Sequence, residues 1–200
     1  MELGEVKTVV KSGSEPFHLN GKKLNQNVLS FWQWSHSEIL GNTLRGILAE
    51  YIVSMDVKCP YEVREEWDAF DLVSQEGVKI EVKSSSYIQS WKQSKLSKIS
   101  FGIQPTIIWD EYNHRSSKAQ RQSDVYVFCL LAHKEQKTID PLNLEQWEFY
   151  VLPTRALDER VGNQKTITLS SLLRLNPKQC GFGEINEAIE IQLEVSNHSK

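Results

Sequence analysis

The chain has 200 residues, of which 40% are hydrophobic and 24% are charged, a composition that excludes disordered and fibrous proteins and predicts a folded globular one. It contains no apolar run near the roughly 18 residues that a membrane helix needs, and its first residues show no secretion signal. The three cysteines are far apart in the sequence, which argues against a disulfide framework. We therefore expect a cytoplasmic protein without a membrane partner.

The positive charge of the chain is concentrated in one stretch. The overall net charge is -3, yet residues 82–123 contain seven Lys or Arg and two Asp or Glu, which gives this stretch a net charge of +5. A basic stretch in an otherwise acidic protein is typical of a surface that binds phosphate. A solvated charged surface is the alternative, and charge by itself favours that alternative.

The N-terminal part of the chain predicts an arm followed by a long helix. Residues 1–26 are polar and weakly patterned, so we expect an arm or a loosely packed first strand. Ser35 and Glu38 then match the Ser-x-x-Glu pattern of a helix capping box. Apolar residues follow at intervals of three and four as far as Met55, which predicts a helix over residues 36–55.

A β-hairpin is predicted after this helix. Residues 68–74 and 78–84 are two strand-like runs, and the three residues between them end in Gly77. A glycine at the end of a three-residue loop is common in hairpins because it adopts the left-handed conformation without steric cost.

The second half of the sequence predicts a buried sheet. Residues 125–132 form an almost unbroken apolar run, typical of a strand that is covered on both faces. Strand patterns follow at 147–152 and 166–169, and a short helix pattern follows at 170–175. This order of elements predicts an α/β fold class, with a mixed central sheet flanked by helices.

The register of the hairpin places two carboxylates opposite each other. With a loop at residues 75–77, Leu72 faces Ile80, and these apolar residues belong to the core face. Because side chains alternate along a strand, Asp71 and Glu81 then face each other on the opposite side of the hairpin. Lys83 follows Glu81 on that same side.

Opposed carboxylates repel each other, but together they suit a hard metal ion. Their Cβ atoms would be about 4.5–5.5 Å apart. Mg²⁺ takes oxygen ligands and is commonly held by one or two carboxylates plus a substrate phosphate. Asp71 and Glu81 therefore predict a Mg²⁺ site, which Mn²⁺ could also fill, with Lys83 close to the phosphate. Asp68 is kept as an alternative ligand to Asp71, and a plain polar outer face is the alternative to a site.

A third carboxylate lies on the predicted helix. Asn42, Gly46 and Glu50 are four residues apart and share one strip of the helix surface. Arg45 lies beside that strip and could pair with a carboxylate or a phosphate. The alternative is that Glu50 and Arg45 are solvated residues of an ordinary helix.

The hairpin resembles the core motif of the PD-(D/E)XK nuclease superfamily, in which an acidic residue, a hairpin and Glu-x-Lys in a hydrophobic strand follow one another. Here the motif is Asp-Leu-Val at 71–73 and Lys-Ile-Glu-Val-Lys-Ser-Ser at 79–85. Members commonly carry an acidic residue on the preceding helix, which Glu50 matches, and a glutamine after the strand, which Gln89 matches. The proline of the motif is absent, since Phe70 precedes Asp71.

A closer resemblance extends to a group of uncharacterised bacterial proteins, through the stretches 42–46, 49–53 and 65–68. The superfamily resemblance implies an αβββαβ core in a single nuclease-like domain. The parts of that domain would be an N-terminal arm (1–26), a catalytic core (27–135) and C-terminal strands and helix (136–200).

The resemblance also implies an activity, the metal-dependent hydrolysis of phosphodiester bonds in nucleic acid, with DNA as the expected substrate. The implied metal ligands are Asp71, Glu81, Glu50 and the backbone carbonyl of Val82. Lys83 and Gln89 would act at the scissile phosphate. The implied nucleic-acid contacts are Asn42, Arg45, Trp91, Lys92, Lys95 and Lys98.

Other interpretations stay open. The chain could be a catalytically inactive nuclease fold that binds DNA or a protein, a nuclease that acts on RNA, or an unrelated α/β protein whose hairpin only mimics the motif. Trp91 suits core packing as well as base stacking, and a homodimer is neither required nor excluded. No Gly-rich phosphate loop is present, so no nucleotide cofactor is expected.

Overall fold

The computed structural model of the chain describes residues 3–4, 6–60, 63–64, 69–107 and 119–198. The strands and helices, in chain order, are β1 (Pro16–Leu19), β2 (Lys22–Asn27), α1 (Val28–His36), α2 (Asn42–Asp56), β3 (Leu72–Val73), β4 (Lys79–Ser86), β5 (Ser100–Gly102), β6 (Val125–Leu131), β7 (Trp147–Pro153), α3 (Thr154–Val161), β8 (Thr166–Thr168), α4 (Leu169–Leu173), β9 (Lys178–Cys180) and α5 (Ile185–His198).

Five strands form the central sheet in the order β3-β4-β6-β7-β9. The pair β4 and β6 is parallel, whereas every other neighbouring pair is antiparallel. All seven residues of β6 are buried, which confirms the prediction of a strand covered on both faces. The mixed sheet with helices beside it confirms the predicted fold class.

Two hydrophobic layers cover the sheet. Alternate residues of β6 enter opposite layers, as the two-residue period of a strand requires. Val127 packs in the layer that also holds Ile52 of α2 and Ile189 of α5. Phe128 packs in the other layer, with Phe101 of β5 and Leu157 of α3. Helices α2 and α5 therefore cover one face of the sheet, and β5, α3 and their neighbours cover the other.

The helix predicted over residues 36–55 begins only at Asn42, as α2, because residue 36 is the end of α1 and residues 37–41 are not helical; the prediction was wrong at its beginning. The predicted capping box does not form, because the Ser35 hydroxyl donates instead to the Phe31 carbonyl at 2.7 Å, as a serine near the end of a helix often does. Helix α1 ends there, and α2 begins after Gly41, whose position at the N-cap has no side-chain hydrogen bond. A capping box does form at the start of α1, between Asn27 and Ser30.

The connection from β4 to β6 begins with residues 87–99, here called the basic loop, which form neither helix nor strand. Side chains within the loop bind its own backbone. The Gln93 Oε1 accepts from the Gln89 N–H at 2.7 Å, and the Gln93 amide donates to the Tyr87 carbonyl at 3.2 Å. These bonds satisfy backbone groups that a helix would otherwise pair. The helix that the αβββαβ pattern implies is therefore absent from the described part of this connection.

The N-terminal segment contains a small hairpin, β1 and β2, rather than a single strand. Asn20 and Gly21 turn the chain there with φ of 53° and 75°, the left-handed values of a two-residue hairpin turn. No helix in the described part of the chain is both long and apolar enough to cross a membrane.

Asp56 joins the two helices on one face of the sheet, and its removal should weaken the fold. Its carboxylate accepts hydrogen bonds from the backbone N–H groups of Gly183, Ile185 and Asn186, at 2.6, 3.2 and 3.3 Å. These groups open α5, so Asp56→Ala should lower the free energy of unfolding by about 1–2 kcal/mol. Urea denaturation measures the loss. Glu187→Ala, which removes an exposed acid from the same turn, should cost about 0.5 kcal/mol or less; equal losses would contradict the capping role.

Candidate catalytic site

The hairpin β3–β4 has the predicted register. Leu72 pairs with Ile80, and the Ser74 N–H donates to the Val78 carbonyl at 2.9 Å. Gly77 has φ of 84°, the left-handed conformation expected at the end of the loop. The pairing is therefore confirmed, and extending it by one residue places Asp71 opposite Glu81.

Asp71 stands where the backbone pairing of β3 ends. Its N–H donates to the Ile80 carbonyl at 3.1 Å, and its carboxylate Oδ2 accepts from the Val82 N–H at 2.7 Å. The Asp71 carboxylate thus accepts a hydrogen bond that a backbone carbonyl of β3 would otherwise accept. This bond holds the carboxylate in position beside β4. Strand β3 is therefore shorter than the predicted strand. Asp68, the alternative ligand, lies outside the described residues.

Lys83 brings the two carboxylates together. Its Nζ lies 2.6 Å from the Glu81 Oε1 and 3.7 Å from the Asp71 Oδ2. The three side chains are only partly accessible, with exposed fractions of 31% for Lys83, 19% for Glu81 and 20% for Asp71. One ammonium and two carboxylates therefore share a half-buried site on the outer side of the hairpin.

The electrostatics of the site follow from this burial. Burial raises the pKa of Glu81, and Asp71 raises it further, against the opposing effect of Lys83. Burial lowers the pKa of Lys83, but the charges of Asp71 and Glu81 outweigh it, so the pKa of Lys83 ends above its ordinary value. The charge of Glu50 contributes to both increases and is the weakest cause in each.

Glu50 lies near the site but is bound to another residue. The Glu50 carboxylate, 12% exposed, accepts hydrogen bonds from the Nε of Arg64 and, at 3.3 Å, from its Nη2. Glu50 therefore acts on Glu81 and Lys83 through its charge, while its direct contact is with Arg64. Sequence reasoning did not identify Arg64, since nothing in its local pattern links it to a helix residue 14 positions earlier.

The donor chemistry of the site suits a magnesium ion of the two-carboxylate type. In the part of the chain that the structure describes, no three His, Cys, Asp or Glu side chains are placed to hold a metal ion. Asp71 and Glu81 nevertheless supply the one or two carboxylates that Mg²⁺ commonly takes from a protein. Their present cationic partner is the ammonium of Lys83.

Gln89 is buried and joins the basic loop to α2. Its amide Nε2 donates to the Ser86 carbonyl at 2.8 Å, and its Oε1 accepts from the Arg45 Nη1 at 3.2 Å. None of its hydrogen bonds among the described residues reaches Glu81 or Lys83. Gln89 is thus placed beside the end of β4 rather than within the cluster of charges.

The predicted nucleic-acid contacts fall into two groups. Asn42 and Arg45 lie in the first turns of α2 and are bonded to each other, with 2.7 Å between the Asn42 Oδ1 and the Arg45 Nη2. Trp91 is 53% exposed, which rules out core packing. It belongs to the second group, the exposed side chains of the basic loop that also include Lys92, Lys95 and Lys98.

Lys134 was not predicted and extends the basic surface. Its ammonium lies 4.7 Å from the centroid of the Tyr87 ring. Lys134 and Lys95 also line a cavity of about 270 Å³. Lys134 follows β6 and Lys95 follows β4, so only the parallel pairing of these two strands brings the lysines together.

The site lies within the range of residues that matches a known protein family. The model of the family described as Bacteriophage T4 endonuclease IV matches residues 5–171. The match therefore covers most of the chain and includes α2, the hairpin and the basic loop. A search of curated proteins finds no match.

Lys83 should stabilise the fold in a pH-dependent way, because it neutralises two opposed carboxylates. Lys83→Met should lower the free energy of unfolding near pH 7 by on the order of 1–2 kcal/mol. This loss should be smaller near pH 4. The pKa of Glu81 is raised and would rise further without Lys83, so Glu81 is protonated in the folded state at that pH. Urea denaturation at both pH values measures this difference.

Lys79→Met is the matched control for this experiment. Lys79 lies on the same strand but is exposed, and its ammonium lies 5.3 Å from the centroid of the Phe70 ring. We expect a loss below about 1 kcal/mol that does not change with pH. A pH-independent loss in Lys83→Met would contradict the charge cluster.

Proposed function

The chain belongs to the bacteriophage T4 endonuclease IV family, and on that premise we propose that it is a Mg²⁺-dependent endonuclease that hydrolyses phosphodiester bonds in DNA. The observation that carries the proposal is the half-buried cluster of Asp71, Glu81 and Lys83 on one hairpin. The cluster lies inside the residues that match the family.

We further propose that the chain is a member of the PD-(D/E)XK superfamily. Three features support this. Asp71 directly precedes β3, Glu81 and Lys83 lie on its hairpin partner β4, and Glu50 on the preceding helix acts on the same charges. The missing proline before Asp71 and the irregular basic loop are the departures from the pattern.

Asp71, Glu81 and the backbone carbonyl of Val82 would hold the magnesium ion. When bound, the ion would supply Lewis acidity to the phosphate and lower the pKa of a water molecule. Glu50 is a further carboxylate within electrostatic reach, and Arg64 holds it next to the site. The hydrogen bond from the Val82 N–H fixes Asp71 beside β4, so the two carboxylates are positioned before substrate arrives.

Lys83 would serve the phosphate as a hydrogen-bond donor. An ammonium has no lone pair, so Lys83 cannot accept the proton of an attacking water. It can donate to a phosphate oxygen and stabilise the negative charge that develops during attack. A metal cation bound by Asp71 and Glu81 would neutralise both carboxylates in place of Lys83. The Lys83 ammonium would then be available for this contact.

The basic loop is the proposed path of the nucleic-acid strand. Lys92, Lys95 and Lys98 can contact successive phosphates, and the exposed ring of Trp91 can stack on a base. Gln89 would position this loop, because its hydrogen bonds to Ser86 and Arg45 hold the loop against α2. RNA as the substrate is the second candidate, since none of these contacts depends on the sugar.

A cleavage assay tests the activity. The wild-type protein with Mg²⁺ or Mn²⁺ should cut supercoiled plasmid or single-stranded circular DNA. Lys83→Ala and Glu81→Gln should each lower the rate by roughly 100-fold or more, because each removes a group that acts on the scissile phosphate or its metal ion. Lys79→Ala, on the same strand, should keep the wild-type rate. Equal background rates for wild type and Lys83→Ala on DNA and RNA would end the enzyme proposal.

Metal binding separates an active enzyme from an inactive nuclease fold. Calorimetry with Mn²⁺ should detect binding to the wild-type protein, and Asp71→Asn and Glu81→Gln should abolish or strongly weaken it, because each removes a charged oxygen ligand. Asp124→Asn, which alters a carboxylate bonded to the Lys79 N–H instead, should leave binding unchanged. DNA affinity without Mn²⁺ binding would support the inactive binding module.

A further inference from the structure

Arg45 is a buried cation without an anionic partner. It is 4% exposed, and no Asp or Glu of the described residues forms an ion pair with it. Its Nε is buried and has no hydrogen-bond partner among the described residues, whereas its two Nη atoms donate to neighbouring oxygens. Burying a charge without an opposite one is costly, so an anion bound close to Arg45 would stabilise this position.

The guanidinium of Arg45 lies under the first turn of α2. It donates to the Leu40 carbonyl at 3.0 Å and to the Asn42 Oδ1 at 2.7 Å, the two residues on either side of the N-cap Gly41. The first N–H groups of a helix have no partner within the helix, and Gly41 offers no side chain to cap them. The guanidinium therefore lies beside the N-cap of α2, next to N–H groups that have no partner within the helix.

The exposed side chains of this turn add donors. The Asn42 Oδ1 is occupied by Arg45, so its NH₂ group remains a donor, and Thr43 is exposed beside it. An acid, Glu38, lies close to this turn, since its Oε1 would be 3.3 Å from a Cβ added to Gly41. Glu38 is an exposed side chain without an ion pair to Arg45, and a bound anion would have to displace it.

We propose that the first turn of α2, with Arg45 beneath it, is a phosphate-binding site for the nucleic-acid strand. Such sites combine free N–H groups, the positive end of a helix dipole and a cation. The strand phosphate held here would lie about two nucleotides from the one that is hydrolysed. This inference rests on the proposed function, because it takes the ligand to be the nuclease substrate.

The position of the turn relative to the catalytic cluster supports this assignment. Arg45 is bonded to Gln89, three residues after the end of the strand that carries Glu81 and Lys83. Arg45 and Glu50 are five residues apart on α2, about 7.5 Å along the helix axis. A stacked strand rises about 3.4 Å per nucleotide, so the two sites are on the order of two nucleotides apart.

Thr43→Asp tests the site without threatening the fold. An acid in the first turn of a helix is favourable to the helix, but it would repel a phosphate. In fluorescence anisotropy with a labelled oligonucleotide and EDTA, which prevents cleavage, we expect affinity to fall roughly tenfold. The slope of log Kd against log salt concentration should fall by about 1, as expected for one lost phosphate contact.

Ser170→Asp is the matched control, since Ser170 is the second residue of α4 as Thr43 is of α2, and α4 packs on the opposite face of the sheet. It should change neither the affinity nor the salt slope. Arg45→Met, which keeps an unbranched side chain as far as the position of Nε and removes the charge, should weaken binding as Thr43→Asp does. Equal affinities for Thr43→Asp and Ser170→Asp, or no binding by the wild-type protein, would overturn the proposal.

Inorganic phosphate distinguishes a strand site from a free-phosphate site. Inorganic phosphate should compete with the oligonucleotide for the wild-type protein, but it should not compete for the Thr43→Asp variant. If phosphate binds to the wild-type protein but Thr43→Asp leaves oligonucleotide affinity intact, the assignment to the strand is wrong. Because these measurements need no catalysis, a protein that cuts no nucleic acid yet shows the predicted losses would refute the enzyme proposal and leave this one standing.

Discussion

The opposition of Asp71 and Glu81 across one hairpin is the constraint on which the site depends. Two carboxylates in neighbouring positions of a sheet repel each other, and the fold keeps them there by two means. The Val82 N–H holds Asp71 against β4, and the Lys83 ammonium contacts both acids. The two acids are therefore held close together with Lys83 as their counter-ion at a partly exposed site.

The sheet behind the hairpin makes this arrangement rigid. β4 pairs in parallel with β6, whose residues are all buried, so the inward side chains Ile80 and Val82 are fixed in the core. A slip of β4 by one residue would move these side chains out of the core and turn Glu81 inward. The hydrophobic face of the strand thus determines where its charged face stands.

Helix α2 places a carboxylate and a guanidinium near different parts of β4 and the loop that follows it. Glu50 acts on Glu81 and Lys83 through its charge, and Arg45, nearer the start of the helix, is bonded to Gln89 beyond the end of β4. The helix therefore runs past the hairpin in the opposite direction to β4.

The sequence by itself determined the local geometry of the hairpin. Alternating apolar residues and a glycine at the end of the loop were enough for the pairing of Leu72 with Ile80, because these signals act between neighbours in the chain. The break between α1 and α2, the ion pair of Glu50 with Arg64 and the burial of Arg45 were decided only by tertiary structure. Each depends on groups far apart in sequence or on a choice between competing hydrogen bonds, such as that of Ser35, which no local pattern distinguishes.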